Sequence, residues 1–168
     1  MPIVNLVGQG SVITHYDAWR INSSFGGSVN PISSNWERVD TDNFNKIGSS
    51  GMSVSSGYFT FPVTGLWQIT VLGSFYASGG YRSRYNGIEM ETTTNNSSYT
   101  NAARLYANIG TNYGTGYTNG ICQHFFDVSN TSTHKVKFKT EVEVSQSNFD
   151  GSSNHSQNLF TFIRFGDT

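Results

Sequence analysis

The chain has 168 residues, of which 12% are charged and 14% are aromatic, and its formal net charge is −1. A charge-poor, balanced chain lacks the basic patch that nucleic-acid binding requires, and no run approaches the roughly 20 apolar residues of a membrane span, so we expect neither partner. The length fits a single domain, and the lone cysteine, Cys122, excludes an intrachain disulfide.

Short runs that alternate apolar with polar side chains recur along the whole chain, and a period of two predicts strands with one buried face. In chain order, the predicted strands are residues 3–7, 17–22, 36–39, 58–61, 66–77, 87–94, 104–109, 120–128, 135–144 and 158–165. The intervening segments are rich in Gly, Asn, Ser and Asp, which favour turns. The sequence therefore predicts an all-β, antiparallel fold of about eight to ten strands, as a sandwich, jelly roll or barrel.

The stretch Pro62-Val63-Thr64-Gly65 separates two alternating runs and predicts a tight turn. Pro62 fixes φ at the start of the turn, and Gly65 can adopt a positive φ near its end. We expect the flanking strands to reverse and pair with one another, with Phe59 and Trp67 both entering the core.

Several late strands carry aromatic residues on both faces, at Phe125, Phe126, Phe160 and Phe162. An antiparallel sandwich has polar side chains on its outward face, so something beyond the intrachain core should cover the second aromatic face. A subunit interface formed by these four phenylalanines is one explanation, and overhanging loops are the other.

The tyrosines of the Gly- and Asn-rich segments are candidate ligand-binding residues. Tyr81, Tyr85, Tyr113 and Tyr117 lie beside Asn, Ser and Gly, a composition that suits stacking on carbohydrate and adaptable polar contacts. They equally suit loop anchors that pack on their own domain.

No motif predicts catalysis, a metal or a cofactor. His15, His124, His134 and His155 lack metal-ligand spacing, and no nucleophile elbow or phosphate loop occurs. The pair Glu89 and Glu91 has the spacing of one strand face, which allows a two-carboxylate site but favours a solvated surface. Asp17, Asp40 and Asp42 supply oxygen ligands for Ca²⁺ without forming a recognisable ligand set. We expect Cys122 to be a buried thiol.

The segment around the predicted turn resembles the core signature of the C1q/TNF-like jelly roll, Gly-x-Phe-x-x-Pro-x-x-Gly-x-aromatic-x-hydrophobic. Phe59, Pro62, Gly65 and Trp67 match its positions, with Trp67 where Tyr is commoner. In the upstream half, Met52 and Ile47 depart from the pattern. The resemblance implies a two-sheet jelly roll that assembles as a compact trimer.

From about residue 16 to the end, the chain resembles structural proteins of marine bacteriophages with this jelly roll. The segments that carry the likeness are 36–44, 46–52, 126–138 and 162–168. This resemblance implies a jelly-roll domain over 16–168, a non-enzymatic role, a location on the virion surface, and partners among capsid or other virion proteins. A trimer without a long shaft suits a capsid decoration or cement protein or a head fibre, and the alternative is a receptor-binding adhesin that recognises host-surface glycan.

Residues 1–15 precede the predicted domain as a short arm or first strand. The apolar residues of this segment, Ile3, Val4, Leu6 and Val7, can form the first strand of the domain or add to the edge of a partner such as a capsid protein.

Overall fold

The computed structural model describes residues 13–110 and 112–168, which form two antiparallel β-sheets. The twelve strands are β1 (His15–Ile21), β2 (Ser23–Gly26), β3 (Trp36–Arg38), β4 (Ser53–Ser55), β5 (Tyr58–Thr60), β6 (Gly65–Ala77), β7 (Ser83–Thr93), β8 (Thr100–Ile109), β9 (Gly116–Val128), β10 (Lys135–Val142), β11 (Ser147–Ser152) and β12 (Leu159–Gly166). A 3₁₀ turn, Thr41–Asn43, lies between β3 and β4. The all-β, two-sheet prediction is confirmed.

The seven-stranded sheet is built around the long strand β6. β9 pairs with β6 along its whole length on one side. On the other side, β12 and β11 pair with successive parts of β6, residues 66–72 and 75–77. β1 and β3 continue the sheet beyond β12, and β2 continues it beyond β11. The five-stranded sheet has the order β4-β5-β10-β7-β8.

The turn between β5 and β6 differs from the sequence expectation in one respect. Gly65 adopts a positive φ of 125° as predicted, but β5 belongs to the five-stranded sheet and β6 to the seven-stranded sheet. The two strands therefore do not pair, and the turn carries the chain from one sheet to the other. The indole Nε1 of Trp67 donates to the Val63 carbonyl at 3.2 Å, and Arg164 Nε donates to the Thr64 carbonyl at 2.7 Å, which fixes the crossing.

An aromatic core fills the space between the sheets. Phe59 and Trp67 are 0% and 1% exposed, as the sequence predicts. The rings of Phe138 and Phe160 lie 4.8 Å apart with an edge-on geometry, and those of Trp36 and Phe160 lie 4.7 Å apart. Edge-to-face packing of this kind contributes beyond the burial of apolar area, so the core ties both sheets together.

Three strands, β2, β4 and β11, were not predicted from the sequence. β2 and β11 fall in segments rich in Ser, Gly and Asn, and β4 has three residues. Each is held by one apolar side chain packed on the core, Phe25, Val54 and Phe149. The conformation of such strands depends on pairing with a neighbouring strand. Their local composition is typical of turns, so the sequence does not predict them.

The prediction that residues 1–15 are an arm concerns mostly residues outside the described part of the chain.

Candidate functional site

The outward face of the seven-stranded sheet is rich in exposed apolar side chains. Along β9 the buried and exposed positions alternate, which turns Tyr117, Ile121 and Phe125 away from the core at 68%, 67% and 54% exposure. Phe165 at the end of β12 is 57% exposed. We call the outward-facing residues of β6, β9 and β12 the apolar face.

The strand register makes the apolar face contiguous. Ile121 lies opposite Leu72, which lies opposite Leu159, so one row crosses all three strands. The rings of Phe125 and Phe165 lie 5.9 Å apart, as do those of Tyr76 and Tyr117. Neighbouring exposed apolar side chains that contact one another form a patch rather than scattered surface residues, and such patches mark interaction surfaces.

The apolar face is almost free of charge. Among the outward positions of its three strands, Asp127 at the end of β9 is the charged residue, and it accepts a hydrogen bond from the Thr168 hydroxyl at 2.7 Å. The remaining polar positions carry neutral side chains such as Gln68, Thr70 and Gln123. A surface that lacks charge at its centre has the composition of the buried part of a protein interface.

Of the four phenylalanines predicted to lie at a subunit interface, the structure exposes Phe125 and buries the other three. Phe160 and Phe162 are 0% exposed and Phe126 is 7% exposed within a single protomer. The interface assignment of Phe126, Phe160 and Phe162 is therefore corrected: they belong to the intrachain core. Successive side chains of a strand point to opposite faces, so Phe125 and Phe126 separate although they are neighbours.

Ile121 and Phe165 lie on this face although the predicted interface does not include them, and Tyr117 lies on it although the sequence predicts a loop residue. The signal that identifies Ile121 and Tyr117 is their spacing from Phe125. They lie four and eight positions before it in β9, and because successive side chains of a strand point to opposite faces, all three share one face.

The four candidate tyrosines divide into two groups. Tyr81 and Tyr113 lie in loops at 46% and 90% exposure, and these loops are joined by a hydrogen bond from the Gly80 amide to the Gly114 carbonyl at 2.7 Å. Tyr117 lies in β9 and Tyr85 in β7, so neither is a loop residue, which corrects that part of the prediction. The Tyr85 ring packs edge-on against Tyr106, with centroids 6.0 Å apart.

The outward face of the five-stranded sheet carries ion pairs. Lys139 Nζ lies 3.0 Å from Glu89 and 3.5 Å from Glu91, and Lys137 Nζ lies 2.9 Å from Glu91. Glu89 is 6% exposed, so the expectation that both glutamates are solvated is wrong for this residue. Burial raises the pKa of Glu89, but hydrogen bonds from Tyr106 and Lys139 outweigh burial and lower the pKa to about 2.

Of the three acidic residues that supply oxygen ligands for Ca²⁺, Asp17 and Asp40 are engaged by arginines, whereas Asp42 is exposed. Asp17 accepts two hydrogen bonds from Arg38, at 2.9 and 3.1 Å, and one from the Met52 amide at 2.7 Å. Asp40 pairs with the buried Arg20 at 2.8 Å. Across residues 13–110 and 112–168, no group of three or more His, Cys, Asp or Glu side chains has an arrangement suited to a metal ion.

Cys122 is buried in β9, as predicted, and burial raises the pKa of its thiol to about 11. The thiol is therefore protonated at neutral pH, which suits packing rather than nucleophilic chemistry.

No helix in the described part of the chain has the length and apolar character needed to cross a membrane. The predicted arm residues Ile3, Val4, Leu6 and Val7 lie outside the described residues.

Comparison with known proteins identifies the fold. A TNF protein, Eiger, from S. frugiperda superposes with a TM-score of 0.54 at 8% identity, covering 91% of this chain and 93% of that one. Murine APRIL superposes with a TM-score of 0.55 at 10% identity, covering 89% of this chain and 98% of that one. No protein-family model and no curated protein sequence matches the chain. The fold is thus the TNF-like jelly roll expected from the sequence.

Proposed function

We propose that this protein is a non-enzymatic homotrimer whose subunits associate through the apolar face. The observation that carries the proposal is the contiguous, nearly uncharged patch of Tyr117, Ile121, Phe125 and Phe165 on a TNF-like jelly roll. No loop of the described residues covers these four side chains, since each stays more than half exposed in the single protomer.

A second copy of the chain is the occupant that best fits this face. Burying exposed aromatic and aliphatic side chains is worth roughly 25 cal/mol per Å² of apolar area, and the neutral composition of the face avoids desolvating charges. The C1q/TNF-like family, which the sequence resembles, assembles as compact trimers. Closed symmetry of that kind covers the same face on every copy and leaves none exposed at an open end.

The experiment that tests assembly is sedimentation equilibrium of the purified protein. We expect a single species at three times the 18.5 kDa chain mass. A species at the chain mass, unchanged as concentration rises, contradicts the proposal.

The proposal extends to a place on a virion, as a capsid decoration or cement protein or a head fibre. It is supported by the sequence resemblance to marine bacteriophage structural proteins over 36–44, 46–52, 126–138 and 162–168. Immunogold labelling of purified particles tests this location. Deleting residues 1–12 should abolish particle binding while sparing the trimer if the arm engages a capsid protein, and undiminished particle binding rejects that role.

The second candidate is a receptor-binding adhesin that recognises host-surface glycan. The observation in its favour is that Tyr81 and Tyr113 are exposed on two loops joined by a hydrogen bond. Exposed aromatic rings among Gly and Asn suit stacking on sugar. A glycan array probed with the native protein and with the Tyr81→Ala/Tyr113→Ala variant tests it, and equal binding by both proteins rejects a role for these loops.

A further inference from the structure

A polar cleft on the five-stranded sheet combines two tyrosines with two lysines. Its volume is about 560 Å³. The floor is formed by β5 and β10, where Lys137 lies opposite Tyr58 in the strand register. One wall is the turn between β4 and β5, and the other is the loop between β7 and β8, which contributes Ser97 and Tyr99. The outward face of this sheet lies on the opposite side of the sandwich from the apolar face, so trimer assembly through that face leaves the cleft open.

The two tyrosine rings that line the cleft are neighbours. The centroids of Tyr58 and Tyr99 lie 5.6 Å apart, with the ring planes inclined at 50°. Lys137 Nζ lies 4.8 Å from the Tyr99 centroid, and it is also 3.0 Å from Asn30 Oδ1. Lys137 therefore holds the Tyr99 ring in place by a cation–π contact.

The two lysines differ in their charge partners. The charge of Lys137 is balanced by Glu91 at 2.9 Å. Lys135, two residues earlier on the same face of β10, forms no ion pair and no side-chain hydrogen bond within residues 13–110 and 112–168. The cleft thus contains one half-buried cation without a partner, beside two aromatic rings and several hydroxyl groups.

The loop between β7 and β8, which forms one wall of the cleft, is held in place by hydrogen bonds. Asn95 Oδ1 accepts hydrogen bonds from the Ser97 amide at 3.0 Å, the Ser98 amide at 2.8 Å and the Thr93 hydroxyl at 2.9 Å. The Asn96 amide donates to the Thr133 carbonyl at 2.9 Å, which ties the loop to the turn before β10. A wall fixed in advance reduces the ordering cost of binding.

From this arrangement we infer that the cleft binds a saccharide that bears a carboxylate, such as a uronic or sialic acid. The tyrosine rings take the C–H face of the sugar, the Ser and Asn groups pair with its hydroxyls, and Lys135 pairs with its carboxylate. A nucleic acid is a poor fit, because one unpaired lysine on a chain of net charge −1 cannot neutralise a phosphate backbone. The inference goes beyond assembly, and it places saccharide binding at a site distinct from the Tyr81 and Tyr113 loops.

Isothermal titration calorimetry on the native protein tests the inference with two acidic probes, 3′-sialyllactose and trigalacturonic acid. Their neutral counterparts are lactose and methyl-esterified trigalacturonic acid. We expect at least one acidic probe to bind more tightly than its counterpart by about tenfold. Absence of binding by both acidic probes, or equal binding of the neutral counterparts, overturns the inference.

Variants locate the site. Lys135→Met keeps the aliphatic stem and removes the cation, so it should abolish the preference for the acidic probe, whereas Lys46→Met, outside the cleft, should leave it intact. Tyr99→Ala should weaken the acidic and the neutral probe alike. Retained preference in Lys135→Met overturns the assignment, as does loss of binding confined to Tyr81→Ala/Tyr113→Ala. Full displacement of the probe by inorganic sulfate at equal concentration indicates a simple anion site and also overturns it.

Discussion

The two outward faces of the sandwich differ in the kinds of side chain that they expose to water. On the five-stranded sheet, Glu89, Glu91, Lys137 and Lys139 neutralise one another in a ladder across β7 and β10. On the seven-stranded sheet, the apolar face carries aromatic and aliphatic side chains together with neutral polar ones such as Gln68 and Gln123, and its single charge is Asp127.

The difference supports the proposal that the apolar face is the one that contacts a second copy of the chain. A ladder of paired charges is satisfied by itself and by water, so this part of the five-stranded sheet gains little from being covered by another protomer. The apolar face gains free energy only when it is removed from water. Substitutions in the charge ladder and on the apolar face should therefore have different consequences.

The largest expected effect is loss of assembly when a charge is placed on the apolar face. Phe125→Asp buries an unpaired carboxylate on every copy in any symmetric contact through this face, and each such carboxylate costs several kcal/mol. We expect sedimentation equilibrium to shift from three times the chain mass to the chain mass. The matched control is Asn108→Asp, which adds the same charge at an exposed position of β8. If both variants stay trimeric, the contact surface lies elsewhere.

A second substitution pair compares the two sides of the seven-stranded sheet. In the Phe125→Asp background, Phe126→Ala should lower the free energy of unfolding by about 3 kcal/mol, because it leaves a cavity beside the core. Phe165→Ala on the apolar face should change it by less than about 0.5 kcal/mol. Urea unfolding followed by tryptophan fluorescence measures both. Similar losses for the two variants contradict the assignment of Phe126 to the core and Phe165 to the surface.

Much of the fold was predictable because it depends on local patterns. The alternation along β6 and β10 gives both strands and their buried faces, and Pro62 and Gly65 mark the turn between sheets. The strands β2 and β11 were not predictable from local pattern, because each rests on one phenylalanine, Phe25 or Phe149, and on pairing with a distant strand. Partner choice is equally nonlocal, which explains why β5 and β6 adjoin in sequence but lie in different sheets.

The candidate sites show the same limit. The sequence indicates a surplus of aromatic side chains, but the parity that separates Phe125 from Phe126 is fixed by the register of β9 on β6. Glu89 has the sequence pattern of a solvated residue. Its burial follows from Tyr106 on β8 and Lys139 on β10, which are brought beside it by strand pairing. Tyr58 and Tyr99 are 41 positions apart in the sequence and meet only when the loop after β7 folds over β5.

A smaller effect is expected from opening the charge ladder. Lys139→Met removes the cation that lies 3.0 Å from Glu89 and leaves that buried carboxylate with fewer partners. We expect the free energy of unfolding at neutral pH to fall by about 2 kcal/mol. Lys135→Met is the matched control on the same face of β10, and it should have almost no effect because Lys135 has no ion pair among the described residues. Equal losses for the two variants would show that the ladder does not stabilise this face.

The smallest expected effect is a dependence of stability on acid that traces to Glu89. Its pKa in the folded protein is lowered from 4.5 to about 2, so its contribution is fully present above pH 4.5 and is lost as the pH falls towards 2. Glu89→Gln should therefore flatten the decline of the unfolding free energy in this window. Tyr106→Phe removes a hydroxyl whose oxygen lies 2.6 Å from Glu89 Oε1. It should raise the pKa of Glu89 in the folded protein, so that the decline still begins near pH 4.5 but ends at a higher pH and is smaller than in the native protein. Urea unfolding at a series of pH values measures both variants. A decline that is as steep in Glu89→Gln as in the native protein assigns the acid sensitivity to other carboxylates, because a glutamine has no proton to gain in this range.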